Sequence, residues 1–287
     1  MELIDTHAHL DFPDYASDLE AVIARATEAG VTRIISIGTS IESSRRAVAL
    51  AERFKNIFAV IGVHPANVMK EGLSFLPALR DLARHSKVVA LGETGIDYHH
   101  VPEELKMAKS TDDLGPSFHC QSTGDQERLI DEGSWKAAQA DAFAMQLDLA
   151  LELGLNVVIH QRSSWEDTLG VLRPYSGKVR GVFHCFGGTA AEAAEVRGMG
   201  HLVSFTGIIT FKNAAQVRET AASVPDDGYM VETDCPYLAP VPFRGKRSEP
   251  GHTRLVAREI AVARGITLEE VAVATTGTAE AFFRFHR

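Results

Sequence analysis

Short apolar, β-branched runs alternate with longer amphipathic stretches along this chain, and that alternation constrains its fold more than any other feature. Roughly eight runs read as strands: 2–5, 33–38, 57–62, 88–92, 156–160, 181–184, 202–205 and 229–233. Continuous apolar runs mark strands buried on both faces. Between them lie helical patterns at 16–29, 42–54, 73–85, 137–153, 164–173, 189–199 and 213–222, with further helices in the tail 253–285. In the first of these, Leu19, Val22, Ile23 and Ala26 fall at helical spacing and Gly30 supplies a stop. Strands alternating with helices imply parallel βαβ units. About eight such units predict an α/β protein, a (β/α)₈ TIM-type barrel, which accommodates a chain of 287 residues as one domain spanning 1–287.

The alternation breaks once, at 99–136, which is polar and irregular. A connection that long is usually functional or disordered. It reads as an insertion after the fourth strand, over the catalytic face, and as a lid that narrows substrate choice. It carries His99, His100, His119 and Cys120. A third metal site there is conceivable, but solvated loop residues are the better reading.

The polar residues track the strand ends. His7 and His9 follow the first strand, His64 the third and Glu93 the fourth; His160 and His184 end the fifth and sixth; Asp234 follows the eighth. In a barrel these positions share the rim where active sites of this fold sit. Alternation of side chains puts His7 and His9 on one side of an extended segment, where both can hold one cation. Asp234 can reach that cation across the barrel closure, and Glu93 can bridge to a second one held by His160 and His184. Mixed imidazole and carboxylate ligands suit zinc, manganese or similar ions. Two divalent metal ions can activate a water for phosphoryl transfer. Each histidine alone could be structural; their convergence on one rim argues against that.

Other features bound the function. Three cysteines suggest a reducing compartment rather than a disulfide framework. With no leader-like start and no long apolar stretch, the expectation is a cytoplasmic protein with no membrane span. A net charge of −9 argues against broad coating of nucleic acid, though not against a local grip on a strand end.

The motifs IDTHAHLDF (4–12), GVHP (62–65), GETGIDY (92–98), VIHQR (158–162), HCFGG (184–188), SFTGIITFKNA (204–214), ETDCPYLAP (232–240) and RGKRSEP (244–250) are collinear over nearly the whole chain. Together they resemble the TatD family of metal-dependent deoxyribonucleases, within the amidohydrolase-like TIM barrels. The resemblance implies a divalent-metal hydrolase that cleaves phosphodiester bonds of DNA, leaning to 3′-to-5′ exonuclease action on single strands or 3′ ends. Zinc, manganese or magnesium would serve. It carries the metal-ligand roles to His7, His9, Glu93, His160, His184 and Asp234. It also makes Asp234 the acid/base and places His64 facing the scissile phosphate, or just behind it. With the resemblance, Lys212, Arg244, Lys246 and Arg247 are expected to meet substrate phosphates. Cys235 reads as a small buried residue rather than a nucleophile. Ser163 and Ser164 stand where the family commonly has an acidic residue, and Gly187 where it often has serine, so substrate preference is less secure than the metals. Two other readings stay open: hydrolysis of another ester or amide, such as an aminoacyl-tRNA ester or a lactone, and a non-catalytic metal-binding barrel.

Overall fold

A computed structural model of the chain describes residues 1–103, 105 and 131–285. Eight parallel strands follow one another around the sheet in chain order. They are β1 (Leu3–Ala8), β2 (Val31–Ile37), β3 (Ile57–Ile61), β4 (Val88–Asp97), β5 (Asn156–Arg162), β6 (Gly181–Phe183), β7 (Leu202–Phe205) and β8 (Tyr229–Val231). The helices between and after them are α1 (Leu19–Glu28), α2 (Ile41–Arg53), α3 (Val68–Glu71), α4 (Leu76–Leu82), α5 (Glu132–Leu153), α6 (Trp165–Leu172), α7 (Ala190–Gly198), α8 (Ala215–Ser223), α9 (Thr253–Arg264) and α10 (Leu268–Phe283). Every strand and helical stretch expected from the periodicity is present. None of the described helices is long and apolar enough to cross a membrane.

Local chemistry sets the helix ends. Ser40 and Asp131 accept hydrogen bonds from the backbone N–H groups of Ser43 and Ser134, while Thr189 with Glu192 and Thr267 with Glu270 form reciprocal caps. Asp131 also corrects one boundary. The stretch 132–136, read above as insertion, is the first turn of α5. His119 and Cys120, with most of the expected insertion, lie outside the described residues.

The barrel closes where β1 meets the segment after β8. The N–H of His9 donates to the carbonyl of Cys235 at 2.8 Å, and that of Asp234 donates to the carbonyl of His7 at 2.9 Å. This seam brings the first and last motifs of the chain side by side.

Two apolar clusters hold the fold. The larger fills the layer between strands and helices. The smaller takes residues such as Ile4, Ile35, Val60, Val158 and Met230 from the strands, together with Phe282 and Phe283 of α10 and Phe285 after it. Its only other helical residue is Ala279, also of α10, so the cluster occupies the barrel interior, capped by the aromatic end of the chain. Truncating the buried Phe282 to alanine would cost about 3–5 kcal/mol. With one end sealed by aromatics, the polar groups are left to the other end.

Candidate metal centre

The seam fixes the first part of the site. His7 and His9 point the same way from β1 and its end, with their Nε2 atoms 3.3 Å apart. Asp234 Oδ1 lies 3.6 Å from His7 Nε2 and 3.3 Å from His9 Nε2. Asp234 has φ +56, a conformation a non-glycine residue adopts only where its surroundings enforce it. The bond from its N–H to His7 supplies that constraint and aims the carboxylate at the two imidazoles.

β4 supplies Glu93 through a local irregularity in its pairing with β5, between Leu91 and Thr94. Gly95 pairs with His160 there at φ +145, and a Cβ at that position would sit 2.0 Å from the His160 carbonyl oxygen. Only glycine fits, which accounts for the spacing of GETG. Glu93 Oε2 faces His7 Nε2 at 3.4 Å and His9 Nε2 at 3.8 Å. Its Oε1 faces the other way, 2.7 Å from both His160 Nδ1 and His184 Nε2 and 3.5 Å from His64 Nε2. One carboxylate therefore spans two groups of imidazoles.

The donor set fits divalent cations. A tetrahedron whose corners lie about 2.0–2.2 Å from a central ion has edges of about 3.3–3.6 Å. The five separations given for His7, His9, Asp234 and Glu93 Oε2 run from 3.3 to 3.8 Å. These four groups are spaced as ligands of one ion. The second group, Glu93 Oε1 with His160 and His184, is tighter, at 2.7–3.1 Å. It is drawn in by hydrogen bonds, and a cation there would take the place of shared protons.

Behind the second group stand two buried carboxylates that the motif reading did not single out. Asp97 Oδ2 lies 3.1 Å from His160 Nε2, and Glu232 Oε1 lies 3.6 Å from His184 Nδ1. Asp97 also accepts from the N–H groups of His99 and His100 and faces His100 Nδ1 at 2.6 Å. His100 thus closes on Asp97, and among the described residues neither His99 nor His100 joins a group spaced to hold a metal. Glu232 accepts from the N–H of Cys185 and the hydroxyl of Ser204. The signal was in the sequence: Asp97 is four residues from Glu93 and Glu232 two from Asp234. Side chains that recur with period two share a side of a strand, the same argument that paired His7 with His9.

The electrostatics are those of a cation site. Burial alone would raise the Glu93 carboxyl, but His184, His64 and His7 outweigh it and hold it well below the usual carboxylate range. Burial also opposes ionisation of Asp234 and Asp97, and their histidine partners reverse it. Burial would lower His184, yet Glu93 and Glu232 lift it well above its ordinary value. His64 differs: burial and neighbouring His160 push it down to about 3. Its Nδ1 accepts from the N–H of Ala66 at 3.1 Å, so a neutral ring carries its proton on Nε2, directed at the cluster.

The cluster opens into a cavity of about 1090 Å³ whose wall includes Phe12, Asn67, Arg162, Gln216 and Tyr237. The four cations expected to meet substrate stand elsewhere. Lys212, Arg244, Lys246 and Arg247 do not line this cavity. Arg247 is held by Asp18 at 2.7 Å and Glu249 at 3.1 Å, and Arg244 stacks over the Phe211 ring at 3.6 Å. The cation that does line it is Arg162, at the end of β5, which was quoted within VIHQR but given no role. Among the described residues it has no salt bridge.

Comparison with known proteins agrees with this geometry. The family model described as TatD related DNase matches residues 4–284. An uncharacterized metal-dependent hydrolase of Bacillus subtilis, YabD, is 37% identical over 99% of this chain and 100% of its own length. A protein of Enterobacter lignolyticus named 3′-5′ ssDNA/RNA exonuclease TatD is 32% identical, covering 92% of each chain. The crystal structure of YJJV, a TatD homologue from Escherichia coli, superposes with a TM-score of 0.82 at 27% identity over 98% of each chain. Full-length similarity, the barrel and a cation-ready rim agree: the chain belongs to the TatD family of metal-dependent hydrolases.

Proposed function

We propose that the chain, acting as one barrel domain over 1–287, is a two-metal phosphodiesterase acting on DNA, a 3′-to-5′ exonuclease of single strands or 3′ ends. The observation that carries this reading is Glu93, whose two oxygens face separate imidazole groups: Oε2 toward His7 and His9, Oε1 toward His160 and His184. A carboxylate so divided suits a pair of ions rather than one. The relative named as an exonuclease on single-stranded DNA and RNA supports the substrate class.

Divalent ions bound there lower the pKa of a water toward neutrality and offset the charge of a phosphodiester. The chain's own residues do the rest. Asp234, with 15% of its side chain exposed, is ionised and positioned to take the proton of the attacking water. The Nε2–H of His64 donates to a phosphate oxygen. Arg162 binds a neighbouring phosphate from the cavity wall. The water oxygen bonds to phosphorus, the bond to the departing oxygen breaks, and that oxygen leaves with the proton Asp234 took from the water.

The test uses protein stripped with a chelator and reloaded in turn with zinc, manganese or magnesium. Substrates are end-labelled single-stranded DNA, duplex DNA, an aminoacyl-tRNA and a lactone. Expected is stepwise shortening of the single strand from its 3′ end, and a loss of about 10²–10⁴-fold in Asp234→Asn. Cleavage of the aminoacyl ester or lactone with DNA left intact would overturn the assignment.

A further inference from the structure

The cavity has an aromatic wall that phosphate chemistry does not use. Tyr237 is 53% exposed. Among the described residues it is the one large apolar side chain that is both exposed and part of the cavity wall. It sits three residues beyond Asp234, in a turn fixed by its N–H donating to the Asp234 carbonyl at 3.0 Å. Its ring meets Phe12 edge-on, with centroids 6.1 Å apart and planes at 82°. Phe12 is itself backed by the His9 ring, stacked at 4.8 Å. The pair is therefore anchored to His9, one of the proposed metal ligands, which faces both rings.

The geometry points to Tyr237, supported by Phe12, as a platform on which a nucleobase next to the scissile phosphate stacks. An aromatic ring left half in water beside a cation centre gains by covering itself with a flat apolar partner. Every base offers a π-face, so stacking tolerates sequence while requiring that the base be free of a pairing partner. The platform therefore selects single-stranded nucleic acid, and Arg162 on the same cavity wall supplies the cation for the backbone. Tyr237 positions substrate; it takes no part in proton transfer. This inference rests on the nuclease reading and refines it.

Binding and cleavage are measured separately, so that the two ideas can fail separately. Binding is read by fluorescence anisotropy with calcium present, using a short oligothymidylate and the same strand with abasic residues at its last two 3′ positions. The proteins are the natural chain, Tyr237→Phe and Tyr237→Ala. The natural chain and Tyr237→Phe should bind the intact strand about tenfold or more tightly than the abasic one. Tyr237→Ala should bind both alike, at the weaker level, with an unchanged melting temperature. The platform is refuted if the natural chain binds the two strands equally, binds neither, or loses nothing in Tyr237→Ala. Base-dependent binding without cleavage of DNA in manganese, magnesium or zinc would instead sink the nuclease reading and leave the platform standing.

Discussion

The two halves of the cluster share Glu93 but differ in what stands behind their histidines. On the His7–His9 side, His9 Nδ1 faces only the carbonyl of Ile37 at 3.4 Å, and His7 Nδ1 has no hydrogen-bond partner among the described residues. Their positions come from the barrel seam. On the His160–His184 side each imidazole has a buried carboxylate behind it: Asp97 within hydrogen-bond reach of His160 Nε2 at 3.1 Å, and Glu232 at 3.6 Å from His184 Nδ1, an ion-pair contact that leaves that nitrogen, like His7 Nδ1, without a hydrogen bond. A carboxylate behind a ligand fixes its ring and raises its basicity. One half is thus spaced in advance by backbone, and the other is tuned by charge. Two cation positions built so differently need not have equal affinity: the seam side should fill first, and the side closed by hydrogen bonds second.

The largest test removes what the halves share. Glu93→Gln should lower turnover by about 10³-fold or more, since it weakens both positions at once. Circular dichroism should stay that of the natural chain. Turnover within tenfold of normal would show that the halves do not depend on the bridge. Below that in size comes a pair of single-ligand changes. His9→Ala should weaken the tighter position by at least about tenfold and spare the weaker; His184→Ala should do the reverse. Competition with a chromophoric chelator reads both constants. Equal loss at both positions in either variant would mean the two halves are one unit.

How much of this was legible follows from what each residue answers to. The strands and the longer helices answer to local periodicity and were read from the chain; the one-turn α3 (Val68–Glu71) is too short to show a period and was not. The expected ligands His7, His9, Glu93, His160, His184 and Asp234 sit at strand ends, so topology alone collected them on one rim. Asp97 and Glu232 were legible by the same alternation but were passed over, because a carboxylate behind a histidine matches no ligand motif. The cations answer to something less local. Arg247 looks like a phosphate ligand in a string of residues, but its partner Asp18 is far away in sequence, and only the fold reveals that it is already occupied. The end of the insertion was misplaced because the cap at Asp131 is the work of one side chain, bonded to Ser134, inside a polar run.

Smaller effects should follow from the carboxylates behind the second half. Asp97→Asn and Glu232→Gln each keep shape and remove charge. Each should weaken the second cation by about 10–100-fold while the first changes little. Activity should be restored in part by raising the metal concentration, which a misfolded protein would not allow. If the first position weakens as much as the second, charge behind the histidines is not what separates the halves.

The smallest expected effect lies one step further out, at Ser204. Its hydroxyl on β7 donates to Glu232 Oε2 at 2.5 Å, and both groups are buried. Ser204→Ala removes that bond but not the charge. Glu232 keeps the bond its Oε1 accepts from the Cys185 N–H at 2.7 Å, so the carboxylate remains on the His184 side. A buried hydrogen bond to a charged group contributes about 1.5–3 kcal/mol, so the melting temperature should fall measurably. The second cation should weaken only a few-fold, well short of the effect of Glu232→Gln, because the carboxylate is loosened rather than neutralised. Should Ser204→Ala match Glu232→Gln in metal affinity, the orientation of the carboxylate would matter as much as its charge. The contrast between a half positioned by backbone and a half tuned by charge would then reduce to two ways of fixing a ring.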